Sequence, residues 1–540
     1  MQISKTAEGG TVTWDSDDFA SGLIPQGASS TNTYPLKYTG INGFSTAYNI
    51  DQDITNGCLN QALGPAANVT NFASLGGALV SANALSSGLF FTLDSSGKVH
   101  KITQTGDALT LDTTSPFPHT IAFAAGSTYV GQDTILYRHN LSSASTVSFF
   151  YSAYNSNNWD VGAFTTPFTA VGDFNDDFMS TIPATPLDIT TGDGDSASQK
   201  NLPHPMEIGA DAILYIGSGR YIHAYDGNTG ANGTFYSKVL TLPEGSIVVG
   251  MRKFKSSLLI ATNFDPNFIA GYSNGDNSSA AFVYEWNYLD LDTTSVIDTE
   301  EVKISAITVW KGSPVFVASG VYESNGNNKL KVIEGNTVRT IASFDGGLPT
   351  NRGVITSSTA FYMNCPEGLY RVGSKFKVGN MISKYGYLGS TYSTTPGMFF
   401  LNADRMIASA AKTTNYYLGV GASTAGTGIA AYCKFPNLGN LFPSGKKGRI
   451  KYLEVEYQAP ITGAGGLTAK ISTDTNTVVT TVLNAVTTVS GNLLKRYTRD
   501  SSNNILPTFS NFDLSVEWAA GTGPKIARMM VEYELLEITN

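Results

Sequence analysis

The sequence predicts an all-β protein: an N-terminal β-propeller of about seven blades followed by a small antiparallel C-terminal β-sandwich. Three observations carry the prediction. No long stretch keeps a helical period. Apolar runs recur in groups of about four per ~45 residues, which is the content and period of a propeller blade. The composition suits aromatic strands joined by tight turns: 540 residues include 55 Gly, 27 Tyr and 28 Phe, and only 14% are charged, against roughly 25% in ordinary soluble domains.

Residues 1–40 read as a polar N-terminal arm with one strand, Thr11–Trp14, ahead of the acidic Asp15–Asp18. This strand is expected to join a neighbour's sheet or to lie on the surface of its own domain. The propeller is assigned to residues 41–437, with Tyr38–Asn60 entering the ring as the strand that completes its last blade. Blades are placed at 78–123 and 126–164, the first holding Gly88–Leu93 and Lys98–Thr103. A long inter-blade loop at 165–201 interrupts the rhythm, and such loops carry function or assembly contacts.

The clearest unit begins at Met206. Ile213–Ile216 forms one strand, Gly217–Gly219 turns the chain, and Tyr221–Tyr225 forms the next before Asp226-Gly227. The pattern returns in units at 205–245, 247–300, 304–347 and 350–380. Ser256–Thr262 is answered by Ala281–Tyr288, Ser313–Ser319 by Lys329–Gly335 and Val338–Phe344, and Thr359–Met363 by Gly368–Val372. A looser unit spans 385–435. One four-stranded sheet cannot bury both of its faces alone, whereas a ring of stacked sheets can.

Asn437–Lys447 combines turn residues with charge and reads as a linker. The sandwich is assigned to 448–540, where Arg449–Tyr457, Phe512–Trp518 and Ile526–Leu535 alternate apolar with polar or charged residues. Each of the first and last strands is therefore expected to keep one wet face.

The net charge of −9 argues against broad nucleic-acid binding; the one basic block is Gly445–Arg449. Cys58, Cys365 and Cys433 are too few and too widely spaced for a disulfide framework or a metal site and read as buried hydrophobes. The N-terminus lacks the apolar core of a secretory signal, and no run approaches a membrane span of about 20 apolar residues. The five histidines form no metal-binding or catalytic spacing, and no nucleotide or nucleophile motif is present. No cofactor and no catalytic residue is expected.

Two constellations stand out as ligand candidates. Asp173, Asp176 and Asp177, with Asp193 and Asp195 further along the long loop, offer oxygen ligands among Gly and Ser. They are weak Ca²⁺ candidates, because the twelve-residue Ca²⁺ loop and its distal Glu are missing; ordinary turn chemistry explains them as well. Tyr154 and Trp159, beside Asn and Asp in Tyr151–Asp160, could stack on a sugar, or Trp159 could fold back into the next blade.

The words Gly40-Ile-Asn-Gly-Phe44, Leu202–Met206 leading into a blade, Ile213–Gly227, Gly368–Gly373 and the C-terminal Phe512–Trp518 and Lys525–Glu534 resemble β-propeller-bearing tail proteins of tailed bacteriophages, including the nozzle type. The resemblance spans most of the chain in texture and architecture and carries no diagnostic motif. It implies a non-enzymatic virion protein, assembled in the host cytoplasm, that contacts copies of itself and other tail proteins. The alternatives are a carbohydrate- or receptor-binding propeller of a fibre or spike, touching host-surface glycan, and an enzyme acting on polysaccharide.

Overall fold

The computed structural model describes residues 11–16, 46–50, 58–61, 69–70, 79–86, 89–94, 98–105, 108–111, 119–120, 129–137, 146–155, 159–167, 177–178, 204–226, 234–264, 280–319, 328–344, 347–365, 368–373, 382–385, 398–402, 405–411, 414–419, 430–435, 447–473, 479–509 and 512–536. All regular structure among them is β. The chain divides into two compact units, one of residues 67–367 and 389–421, the other of 1–66, 368–388 and 422–540.

The first unit is the propeller. Among the described residues its sheets follow one another along the chain, and neighbouring strands run antiparallel within the repeating blade core. The first strands of the seven blades are Leu79–Ser86, Tyr129–Tyr137, Met206–Ile208, Ser246–Phe254, Lys303–Trp310, Val354–Thr356 and Met398–Asn402. Each touches the first strand of the next blade, and Met398–Asn402 touches Leu79–Ser86. Among the described residues, the seven sheets therefore touch in a closed circuit. The last of these sheets packs on the first, and Thr46–Tyr48, the described strand of the expected Tyr38–Asn60 segment, does not join it but pairs with Ala431–Phe435.

Burial explains why the sequence shows unbroken apolar runs here instead of alternation. Leu214–Ser218 is buried at every position, as are Pro314–Ser319 and Phe361–Cys365. A strand with a sheet on either side has no wet face. Blade three and blade four share one cluster built on Tyr215, Ile222, Met251, Ile260 and Trp286. Leu259, Val283, Ile307 and Phe316 form the equivalent layer between blades four and five. The turn at Lys311-Gly312 has φ of 51° and 80°, the two positive values of a type I′ hairpin, whose twist suits the flanking strands.

Polar side chains join blades where apolar packing cannot. Glu301, 1% exposed, accepts from Lys329 at 2.7 Å and from Lys331 at 2.8 Å. Lys331 also donates to the Thr299 carbonyl at 2.8 Å. Arg352 of blade six donates to the Met206 carbonyl of blade three at 3.0 Å, joining blades that are not neighbours.

The second unit holds two antiparallel sheets. In one, Thr11–Ser16, Ile526–Leu536, Lys447–Tyr457 and Leu494–Tyr497 lie side by side, and Thr508–Phe509 also pairs with Lys447–Tyr457. The other runs Thr46–Tyr48, Ala431–Phe435, Phe512–Trp518, Ile461–Thr473 and Val479–Val489. Ile450, Leu453, Val531 and Tyr533 of the first sheet share one buried cluster with Cys433, Leu467, Leu514 and Val516 of the second. Gly368–Val372 and Ile382–Tyr385 are the third and fourth strands of the sixth blade's sheet, after Val354–Thr356 and Phe361–Cys365.

This organisation corrects the expected boundaries. Residues 41–437 are not all propeller, and 448–540 are not the whole of the second domain. Thr46–Tyr48 pairs with Ala431–Phe435, Thr46 lying opposite Lys434. Cys433 and Phe435 are fully buried in the two-sheet core, which removes this strand from the looser seventh blade. Thr11–Ser16 of the expected arm pairs with the chain's own Ile526–Leu536, Thr11 opposite Glu534. The cysteines are free and buried, as expected of small hydrophobes.

Candidate functional site

Of the Ca²⁺ candidates named from the sequence, Asp173, Asp176, Asp193 and Asp195 lie outside the described residues. Asp177 sits in the short strand Asp177–Phe178, opposite Thr165. Among the described residues no group of three or more His, Cys, Asp or Glu could hold a metal ion. Tyr154 and Trp159 close the hairpin of blade two and stand directly opposite each other across it.

One surface cleft among the described residues was not singled out by the sequence. It is a cleft of about 540 Å³ between blades three and four. Its floor is a set of three rings from two blades: Tyr215, Trp286 and Tyr288. Tyr215 meets Trp286 edge-on with centroids 5.4 Å apart, and Tyr288 lies 5.2 Å from Tyr215 and 5.6 Å from Trp286. Offset and edge-on pairs of this kind are the favoured aromatic geometries.

Two loops shape the rim. The first, Gly209–Ile213, is tied by Gly209 N–H to the Ile213 carbonyl at 2.8 Å. In it Asp211 accepts from Ile213 N–H at 3.1 Å and from the Tyr215 hydroxyl at 2.6 Å. Ala210 N–H donates to the Tyr288 hydroxyl at 3.2 Å, which leaves that hydroxyl's own proton free to donate. Burial raises the Tyr288 phenol pKa, and the charges of Asp211 and Glu207 add to the effect, so it stays protonated at neutral pH. Gly209 is required by space: a Cβ there would lie 2.5 Å from Asp211 Oδ1, 2.6 Å from Tyr215 Cε2 and 2.9 Å from Tyr288 Cε1.

The second loop follows Trp286. Asn287 Oδ1 accepts from the N–H groups of Leu289 and Asp290, each at 3.0 Å. Its amide donates to the Asp290 carboxylate at 2.6 Å, and the Trp286 indole N–H donates to the Asp290 carbonyl at 2.8 Å. The strand expected to run to Tyr288 therefore ends at Trp286, and Tyr288 takes a left-handed φ of 71°. Ala212 on the opposite loop has φ of 64°. Two non-glycine residues in this costly region hold the two sides of one cleft.

Two buried polar groups elsewhere in the propeller invite a catalytic reading that their geometry does not support. His204 Nε2 lies 3.4 Å from Ser218 Oγ, both 1% exposed. His204 Nδ1 has no hydrogen-bond partner among the described residues, so nothing orients the ring as the third member of a triad would. Burial, with His223 nearby, lowers the His204 pKa to about 3, and burial lowers that of His223 to about 4. Both are neutral core histidines.

No family model matches the chain, and no curated protein matches it. Solved structures do resemble it. One is YCF48 bound to D1 peptide, with 9% identity and a TM-score of 0.38 over 64% of this chain and 94% of that one. Another is the Dos1 propeller, at 12% identity and TM-score 0.36, covering 65% and 94%. A third is AofleA from Arthrobotrys oligospora, at 12% identity and TM-score 0.34, covering 58% and 87%. At this level of likeness nothing about function follows. The fold itself defines the class: an all-β protein built on a propeller of consecutive antiparallel sheets.

Proposed function

We propose that the protein is a non-enzymatic structural component of a bacteriophage virion, most consistent with the tail, acting through contacts with copies of itself and with other tail proteins. The sequence resemblance implies this role. The observation that supports it is the return of the chain to one two-sheet body on either side of the propeller in sequence. Strands from before the propeller pair with strands from after it in both sheets of the second unit. Two chain segments anchored in one pair of sheets share a load that a single linker would concentrate, and a part of a force-transmitting assembly benefits from that.

The test is native mass spectrometry of the purified chain with negative-stain images of the same sample. A closed ring of copies is expected, as cyclic symmetry is the common outcome for assembling subunits. A chain that stays monomeric at every concentration, and that is missing from purified particles, overturns the reading.

A second reading, a carbohydrate- or receptor-binding propeller, is favoured by the direct opposition of Tyr154 and Trp159 across the blade-two hairpin. It is tested on a glycan array, with Tyr154→Ala and Trp159→Ala expected to abolish the signal.

A further inference from the structure

The described residues expose seven large hydrophobic side chains, and four of them belong to blades three and four: Tyr236, Leu289, Leu291 and Val296. Leu289 and Leu291 are the most exposed, at 87% and 93%. Tyr236 and Leu289 both line the aromatic cleft, and Leu291 is two residues further along the same loop. Exposed apolar side chains gathered at one place mark interaction sites, whereas scattered ones need no explanation. Asn287 accepts from the backbone N–H groups of Leu289 and Asp290, which fixes the start of this loop before anything binds and reduces the ordering cost of binding.

The charge at the same rim has one sign. In Tyr288-Leu289-Asp290-Leu291-Asp292 the leucines alternate with carboxylates, and Asp211 stands on the opposite loop. None of the three aspartates has an ion-pair partner among the described residues, and no described Lys, Arg or His lines the cleft. A neutral sugar would satisfy the aromatic wall and leave the leucines exposed and the carboxylates without a counter-charge. A cationic side chain beside an aliphatic one satisfies all three, since ammonium and guanidinium groups are attracted both to carboxylates and to ring faces.

We infer that the cleft between blades three and four, with the Leu289–Asp292 rim, is a docking site for an extended segment of a partner protein carrying Lys or Arg next to an aliphatic or aromatic residue. This rests on the assembly reading and deepens it by giving one partner contact its chemistry.

The test probes an array of random decapeptides with the intact chain, with a parallel array of neutral oligosaccharides. Bound peptides are expected to be enriched in Lys or Arg adjacent to Leu, Ile, Val or Phe. Their signal should fall at least tenfold for Leu289→Ser/Leu291→Ser. Asp211→Asn/Asp292→Asn should weaken binding and flatten its salt dependence. Because both leucines are almost fully exposed, the serine variant is expected to unfold at the same temperature as the parent, which separates lost binding from lost folding. The inference is overturned if no peptide binds, if bound peptides show no basic bias, if the serine variant binds equally well, or if only oligosaccharides bind. A chain that forms closed rings yet binds no such peptide ends this inference and leaves the assembly reading standing.

Discussion

The side chain of Asn263 grips both polar groups of Ile304 in the next blade: its Oδ1 accepts from Ile304 N–H at 2.7 Å and its Nδ2 donates to the Ile304 carbonyl at 2.9 Å. A single residue at the end of a blade-four strand thereby mimics a strand neighbour for the first strand of blade five.

Asn263→Ala removes both bonds and leaves two backbone groups at a buried position without partners, at about 1–3 kcal/mol for each unsatisfied group. The variant is expected to unfold at lower guanidinium concentration, followed by tryptophan fluorescence. Asn263→Asp keeps the acceptor, loses the donor, and should fall between parent and alanine variant. Equal stability of all three would show that the grip contributes nothing.

Gly209→Ala places a methyl group against Asp211, Tyr215 and Tyr288 at once. Overpacking of this kind costs about 1–3 kcal/mol. The rings that form the cleft floor must part to admit it, so near-ultraviolet circular dichroism is expected to change in the aromatic region even where the chain remains folded. An unchanged spectrum would mean that the loop moves instead of the rings.

Glu301→Ala leaves Lys331 buried without its carboxylate. Breaking a buried pair from one side costs about 3–5 kcal/mol. Lys329→Ala is expected to cost far less, because Lys329 is 33% exposed and Lys331 still faces Glu301. Glu301→Leu/Lys331→Met removes both buried charges and should recover much of the loss. Denaturation of the three variants side by side distinguishes a buried pair from a surface contact.

Stability should fall in mild acid. The unfolded histidines take up protons near pH 6.5, whereas folded His223 does so only near pH 4 and folded His204 near pH 3. Between these values the unfolded chain binds more protons, so acid favours unfolding. The effect is absent above about pH 6.5 and has a limiting slope of about 1.4 kcal/mol per pH unit for each histidine. Unfolding free energies from pH 7.5 to 4.5 should show the decline, and His223→Gln should make it shallower. A parent profile flat across that range would mean that the two rings are wet.

Much of the propeller was legible because its strands are local. Ser313–Ser319 and Gly368–Val372 were readable to the residue, since a short apolar run between turn residues identifies itself. The pairing of Thr46–Tyr48 with Ala431–Phe435 left no such trace. Its partners are almost the whole propeller apart in sequence, and a three-residue strand has too little pattern to name its sheet. Ala431–Phe435 alternates buried with half-buried residues, a pattern that fits either domain. The cleft was hidden for a different reason. Ala281–Tyr288 reads as one strand, and only the left-handed turn at Tyr288 moves the following leucines out of a strand and onto a rim.

The pairing of Thr11 with Glu534 also sets a timetable. A ribosome adding about 5–20 residues per second needs roughly half a minute to two minutes to travel between them. During that interval the propeller can close, while the N-terminal strand emerges long before the sheet it belongs to exists. The second unit is therefore completed only after the propeller between its strands has been made, and Thr11–Ser16 waits through that interval for its partner.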